Sequence, residues 1–213
     1  MIIDTHIHES KYSPDSKITL DEIIEKGKSI GLDAICITDH DTNDLKKDFG
    51  NSFIRNDMLV IVGAEILTYE GDILVFGLED LPKKMISSKE LLELVNKANG
   101  IAISAHPFRT NNRGLKNHIR EVSHLLSGVE SFNGSTTPHH NLTAYTLATE
   151  LNLPSFGASD AHVIENLGKY ATEFKDNIRD HIDFIEAVKN KNFCPVIRKS
   201  KGFERINIYD TLK

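Results

Sequence analysis

Seven short apolar runs, "MIIDTHI", "DAICIT", "MLVIVGAEI", "DILVFGL", "GIAISA", "GVESF" and "LPSFGAS", recur along the chain, most of them separated by longer amphipathic segments. That alternation points to an α/β fold on a largely parallel sheet, because parallel strands need a crossover and the crossover is usually a helix. The helices carry start signals of their own. Thr19 and Glu22 in "TLDEIIEKGKSIG" form a capping-box pattern, with Ile23, Ile24 and Ile30 supplying an apolar stripe and Gly31 a C-cap. Ser87 and Glu90 repeat the device in a segment that ends at Gly100, and further helices are expected over 139–152 and 179–190. Seven strands with helices between most of them suggest a closed or nearly closed barrel. An open doubly wound sheet is the alternative, weakened because no glycine-rich phosphate loop follows the first strand.

At 213 residues the chain is within reach of one such barrel, and no repeat, low-complexity tract or Pro/Gly-rich linker divides it. One domain over 1–213 is expected, with its motifs in about 1–175 and a C-terminal helix and tail over 176–213. The tail is charged, and Arg198, Lys199 and Lys201 read as solvated surface. A hydrophobic content of 39% fits an ordinary globular protein, and a net charge of -6 argues against a surface built for long nucleic acid. Cys36 and Cys194 are far apart and form no CxxC pattern, which removes a disulfide framework and a thiolate zinc site. With no leader-like start and no run near the ~18 apolar residues of a membrane span, the expected location is the cytoplasm, without membrane attachment.

The ends of the apolar runs carry the functional signal. The first ends in His6 and His8, the second in "TDHDT" with Asp39 and His40, and the third in "GAEI" with Glu65. The fifth ends in "SAHPFR" with His106 and Arg109, the sixth in "VESFNGS" with Glu130 and Asn133, and the seventh in "GASDAH" with Asp160 and His162. In a parallel barrel the C-terminal strand ends share one face, so residues scattered in sequence converge there. Alternate side chains of a strand point the same way, which puts His6 with His8 and Asp160 with His162. One HxH is a weak signal, but His, Asp or Glu at the same structural position of five strands is not a chance pattern. Imidazole suits zinc, iron and related ions, and a carboxylate can bridge two cations. A cluster without cysteine therefore points to zinc, manganese or iron at a hydrolytic centre. His118, His124, His181, His139 and His140 fall in helical, charged or loop stretches and stay outside the ligand set.

Taken together, "DTHIHE", "SPDS", "GLDAICITDHDT", "GAEI", "SAHPFR", "FNGS" and "SDAH" followed by "LGKYAT" resemble the PHP (polymerase and histidinol phosphatase) superfamily of metal-dependent phosphoesterases, in the expected order over about residues 1–175. The resemblance implies a distorted (β/α)7 TIM-like barrel with two or three divalent ions at the C-terminal ends of the strands. It implies that His6, His8 and Asp160 bind one ion, that Glu65 bridges to a second held by His106, and that Asp15, His40 and His162 hold a third. It also places Arg109 against the substrate phosphate, a task its planar fork suits. One position departs from the family pattern: where many members have a histidine at the fourth strand, this chain has Asp72 in "GDILVFGL", which makes Asp72 a further candidate ligand.

The implied activity is hydrolysis of a small phosphate monoester, a nucleotide or phosphorylated metabolite, by a metal-bound hydroxide. No general acid is assigned. Arg113 and Asn133, in loops expected to shape the pocket, are candidate substrate contacts. Nucleic acid is disfavoured except as a short oligonucleotide. Two alternatives share the metals: an amidohydrolase-like C–N hydrolase, disfavoured because no strand-end lysine is present, and a non-catalytic metal-binding PHP module, disfavoured because the strand-end ligands are retained.

Overall fold

The computed structural model describes residues 1–208; the last five residues of the expected tail, 209–213, lie outside them. Strands β1 (Ile2–Ile7), β2 (Ala34–Ile37), β4 (Met58–Val62), β5 (Ala64–Leu67), β6 (Asp72–Phe76), β7 (Ile101–Ser104), β8 (Gly128–Asn133) and β9 (Ser155–Ala158) fall on the seven apolar runs. Four more strands, β3 (Ser52–Arg55), β10 (Tyr170–Phe174), β11 (Phe193–Lys199) and β12 (Gly202–Arg205), lie outside them. Helices α1 (Leu20–Ser29), α2 (Leu45–Phe49), α3 (Ser88–Lys97), α4 (Ile119–Val122), α5 (Pro138–Glu150) and α6 (His181–Asn190) complete the order. The Thr19 and Glu22 capping box closes in both directions, and Gly31, just past α1, takes a left-handed φ of 86°. The Ser87 side chain caps α3 by accepting from the Glu90 amide.

The fold is mixed α/β, and among the described residues the hydrogen-bonded ladders do not close into one barrel. Hydrogen-bonded ladders give one sheet ordered β12-β11-β10-β1-β2-β4-β3 and a second ordered β5-β6-β7-β8-β9. The run "MLVIVGAEI", expected as one strand, divides at Gly63 between the two sheets. A side chain there would collide with β6, since a Cβ on Gly63 would lie 2.5 Å from the Phe76 ring and 2.8 Å from the Val75 carbonyl. Past this step, β5 continues beside the segment after β2, through Gly63 N–H to Ile37 O (2.9 Å) and Asp41 N–H to Glu65 O (2.8 Å). At the other seam, side chains add to a short parallel bridge between Ile7 and Ala161: Thr172 Oγ1 donates to Gly157 O at 2.9 Å, and buried Asp4 accepts the Ser159 amide at 2.9 Å.

The expectation of a largely parallel sheet is also corrected. Among the described residues, the ladders β1/β2, β2/β4, β7/β8 and β8/β9 are parallel and the other ladders are antiparallel. Short hairpins account for three of the antiparallel ladders, β3/β4, β5/β6 and β11/β12. Between β3 and β4, Asn56 and Asp57 both have positive φ (49° and 60°), as a two-residue type I′ turn requires. The charged C-terminal segment pairs as well. β11 and β12 extend the sheet beyond β10, with Lys199 and Lys201 exposed and Arg198 partly buried, its Nε 3.3 Å from the Gly168 carbonyl. Among the described residues no helix is long and apolar enough to cross a membrane.

Candidate metal centre

The parallel strands end on one side, and there the polar residues meet. His6, near the end of β1, is wholly buried, and its Nδ1 donates to Glu130 Oε1 of β8 at 2.9 Å. His8 follows one residue beyond the strand, with its Nδ1 3.2 Å from Ser13 Oγ. Ser13 donates its own proton to Asp39 Oδ1 at 2.7 Å, so the His8 Nδ1 must be the donor in that contact. Both rings are thereby oriented, and both turn Nε2 inward, where the two atoms lie 2.9 Å apart. Asp160 Oδ1 sits 3.6 Å from His6 Nε2 and 3.5 Å from His8 Nε2, buried and without a hydrogen bond.

Glu65 of β5 reaches across the seam between the sheets. Its Oε1 is 2.7 Å from His106 Nε2, and its Oε2 is 2.8 Å from His40 Nδ1, a contact without hydrogen-bond alignment. One carboxylate thus faces two groups of imidazoles. Further out, His40 Nε2 lies 3.1 Å from Asp15 Oδ2 and 3.4 Å from His162 Nε2, and His162 Nε2 lies 3.3 Å from the same Asp15 oxygen. Three triads have ligand atoms within 4.8 Å of one another: His6, Glu65 and His106; His6, His8 and Asp160; and His8, His40 and His162.

Electrostatics test whether cations fit here. Burial alone would lower the His6 pKa, yet the carboxylates of Asp160, Glu130 and Glu65 outweigh it and hold His6 protonated well above its usual range. Burial pulls His8 down to about 4, leaving it neutral. The carboxyls of Glu65 and Asp160 would be pushed up by burial, but His6 beside them keeps both well below the usual carboxylate range. Without a metal, a proton on His6 therefore points at the His8 lone pair amid carboxylates. It holds the position a cation would take, and the inward Nε2 atoms with the unpaired Asp160 oxygen fit a divalent ion.

The backbone is constrained at the same points. His106 and Asp160 both have positive φ, 24° and 51°, a conformation that side-chain-bearing residues adopt only when their surroundings impose it. The His106 amide donates to Glu130 Oε2 at 2.7 Å and the Asp160 amide to the His6 carbonyl at 2.8 Å. Glu130 thus fixes two candidate ligands from underneath. It stands among the strand-end residues in the sequence, as does Asp39, but their supporting roles and that of Ser13 were missed. The available signal was a carboxylate inside an otherwise apolar strand run.

The other sequence-predicted residues are placed as follows. Arg109 hydrogen-bonds Asp160 Oδ2 and donates to Asn133 Oδ1 at 3.0 Å, with its side chain partly exposed beside the cluster. Asn133 is fully buried and donates through Nδ2 to Glu130 Oε2 (2.9 Å) and Asp160 Oδ2 (3.1 Å), so it braces the site from within. Asp72 lies 3.8 Å from His106 Nε2, outside the three triads, and both of its oxygens are held by Arg113 at 2.7 and 3.0 Å. Burial and the nearby Glu65 charge raise Asp72 to about 6 despite that partner. His118 and His181 pack against Ser88 and Ser52, away from the cluster.

Comparison with known proteins agrees with this geometry. A family profile described as PHP-associated matches residues 138–193. An uncharacterized protein of Methanocaldococcus jannaschii is 34% identical over 151 residues, 62% of this chain and 82% of the relative. The chain belongs to the PHP superfamily. Solved structures show the same PHP fold at low identity. A two-domain protein from Bacteroides vulgatus, described as containing a predicted PHP-like metal-dependent phosphoesterase, superposes with a TM-score of 0.67 at 19% identity, covering 92% of this chain and 64% of that one. The lesion-specific endonuclease EndoQ of Pyrococcus furiosus superposes with a TM-score of 0.67 at 15% identity, covering 100% of this chain and 66% of that one.

Proposed function

We propose that this PHP protein is a metal-dependent phosphoesterase that hydrolyses a small phosphate monoester, a nucleotide or phosphorylated metabolite, using two or three divalent ions of zinc, manganese or iron. The observation that carries the reading is the pair of inward Nε2 atoms of His6 and His8 at 2.9 Å, facing a buried Asp160 oxygen with no hydrogen bond. His6, His8 and Asp160 would hold one ion, Glu65 and His106 a second, and His40, His162 and Asp15 a third. Ions held there would supply Lewis acidity, acidifying water and screening the charge that gathers on a phosphoryl group. The remaining work falls to the chain itself. Arg109, braced by Asp160 and Asn133, presents the part of its guanidinium not used in those bonds to the phosphate oxygens. Glu65 keeps the inner and outer groups in register by contacting a histidine of each.

The working unit is proposed to be one PHP domain, because β11 and β12 extend the sheet that carries β1. Free Cys36 and Cys194 fit a reducing compartment, and a cytoplasmic location is proposed on that ground. A second reading, cleavage of a phosphodiester in a short or damaged oligonucleotide, is favoured by the likeness to EndoQ over the whole chain. The net charge of -6 weighs toward the small ester.

The test is metal analysis of the purified protein, followed by phosphate release from a panel of monoesters and short oligonucleotides with Mn, Zn or Fe. Arg109→Ala should keep its metal and lose roughly 10²-fold in kcat/KM, the scale for removing one donor to a developing anion. Full activity in that variant would remove Arg109 from the reaction. Cleavage confined to oligonucleotides would replace the monoester with the second reading.

A further inference from the structure

Asp72 and Arg113 form an ion pair beside a candidate ion position. Asp72 opens β6 and is fully buried, and one of its oxygens, Oδ2, lies 3.8 Å from His106 Nε2. His106 Nε2 is the atom that Glu65 Oε1 approaches at 2.7 Å, within the triad His6, Glu65 and His106. A fourth donor, a carboxylate oxygen, is therefore close to a three-donor group. It is engaged elsewhere: Arg113 Nε holds Oδ2 at 2.7 Å and Arg113 Nη2 holds Oδ1 at 3.0 Å, a bidentate pair.

The loop secures this arrangement. The Asp72 amide donates to the Arg113 carbonyl at 2.7 Å, and the Arg113 amide donates to Asn111 Oδ1 at 3.1 Å. Close approach of the two backbones permits it, since a Cβ on Gly71 would lie 2.6 Å from the Gly114 carbonyl carbon. The Arg113 side chain stays 34% exposed, so its outer edge is open to solvent while its inner edge covers Asp72.

We propose that Arg113 and a divalent ion compete for Asp72, so that Arg113 weakens the ion position formed by His6, Glu65 and His106. Two effects act together. The guanidinium occupies the lone pairs through which Asp72 would coordinate, and its positive charge repels a cation a few ångströms away. An anion that engages the exposed edge of Arg113 and draws it from Asp72 acts in the opposite direction and strengthens the position. The inference rests on the metal centre proposed above and adds a residue that sets its occupancy.

The test titrates chelator-stripped protein with Mn²⁺ by calorimetry, with bound metal counted after gel filtration and folding checked by circular dichroism. In Arg113→Met one of the inner, tighter binding events should tighten further by about tenfold or more, and adding Asp72→Asn should cancel the gain. Arg113→Lys, which keeps a charge but not the two-point grip, should tighten it less, and it serves if the methionine variant fails to fold. Unchanged Mn²⁺ affinity in the folded Arg113 variants, or a gain that survives Asp72→Asn, would overturn the competition. Wild-type protein that binds no Mn²⁺, Zn²⁺ or Fe²⁺ at all would sink the metal centre instead.

Discussion

The inner and outer parts of the histidine cluster are built differently. His6, Glu65, His106 and Asp160 are all at most 2% exposed, and each is tied to a buried partner outside its own triad or to a fixed backbone. His40 and His162 are about a quarter exposed and Asp15 is 57% exposed, and Asp15 contacts both of those rings. His8 stands between, its ring centroid 4.2 Å from both His40 and His162 and its Nε2 turned to His6. Buried ligands oriented by further buried groups keep their geometry when empty, whereas exposed ones must be gathered by the ion. The inner positions should therefore bind more tightly, and the outer position should exchange.

Breaking the inner brace should have the largest effect. Glu130 receives the His6 Nδ1–H, the His106 amide and the Asn133 amide group, all buried. Glu130→Ala leaves those donors unpaired, at roughly 1–3 kcal/mol each when no water reaches them. It also frees the His6 ring, and loss of such a support lowers metal affinity by about 10–100-fold. Denaturant unfolding of the metal-free variant and its metal content should both fall. Wild-type stability together with wild-type metal content would show that the inner site does not depend on its brace.

How much of this was legible in the sequence follows the same division. Residues of metal-ligating type are chemically conspicuous, so the inner and outer candidate ligands stood out from "THIH", "SPDS", "TDHD", "GAEI", "SAH" and "SDAH". Supports are not conspicuous. Ser13 looks like any loop serine, and Glu130 shows its role only when β8 is placed against β1 and β7. Asp72 could be flagged as a departure, but its pairing with Arg113 depends on a loop folding back onto β6. The strand positions were readable because alternation and apolar runs are local. The division of "MLVIVGAEI" at Gly63 was not, because the collision it avoids involves Phe76, which lies on the next strand of the second sheet. The returning strands β10 to β12 are mixed in polarity, and β11 and β12 are partly exposed, which left them without an apolar run to mark them.

Protons sharpen the comparison next. His6 is held protonated well above its usual range by Asp160, Glu130 and Glu65 acting against burial, so an ion entering the inner site must displace that proton. Binding there should strengthen as pH rises from 6 to 8, by up to about tenfold per unit for one displaced proton, with proton release measurable by calorimetry in buffers of different ionisation enthalpy. The sign for folding is opposite. A raised His6 stabilises the metal-free protein below the unfolded value of about 6.5, and that contribution fades as pH rises through the folded value. Metal-free protein should thus lose stability toward alkaline pH while loaded protein does not. His40 is raised as well, burial being outweighed by Glu65 and Asp15, but less than His6, so the outer dependence should level off at lower pH. Inner binding that does not change between pH 6 and 8 would mean that no proton holds the site.

The smallest effect should come from Asp15. Its carboxylate lies 3.1 and 3.3 Å from the Nε2 atoms of His40 and His162 and is more than half exposed, so water already solvates most of it. Asp15→Asn keeps the shape and removes the charge, and it leaves no buried group unpaired. Unfolding should be unchanged and the inner ions retained, with the outer ion weakened by about tenfold or less, because exposed charge pairs contribute little. Salt separates this from a structural effect: between ~0.05 and ~0.5 M the Debye length shrinks severalfold, so wild-type outer binding should drop toward that of the variant while inner binding barely moves. Because His8 belongs to triads on both sides, His8→Ala should disturb both positions where Asp15→Asn disturbs one. Equal loss of every ion in the two variants would mean that inner and outer positions form a single cooperative site.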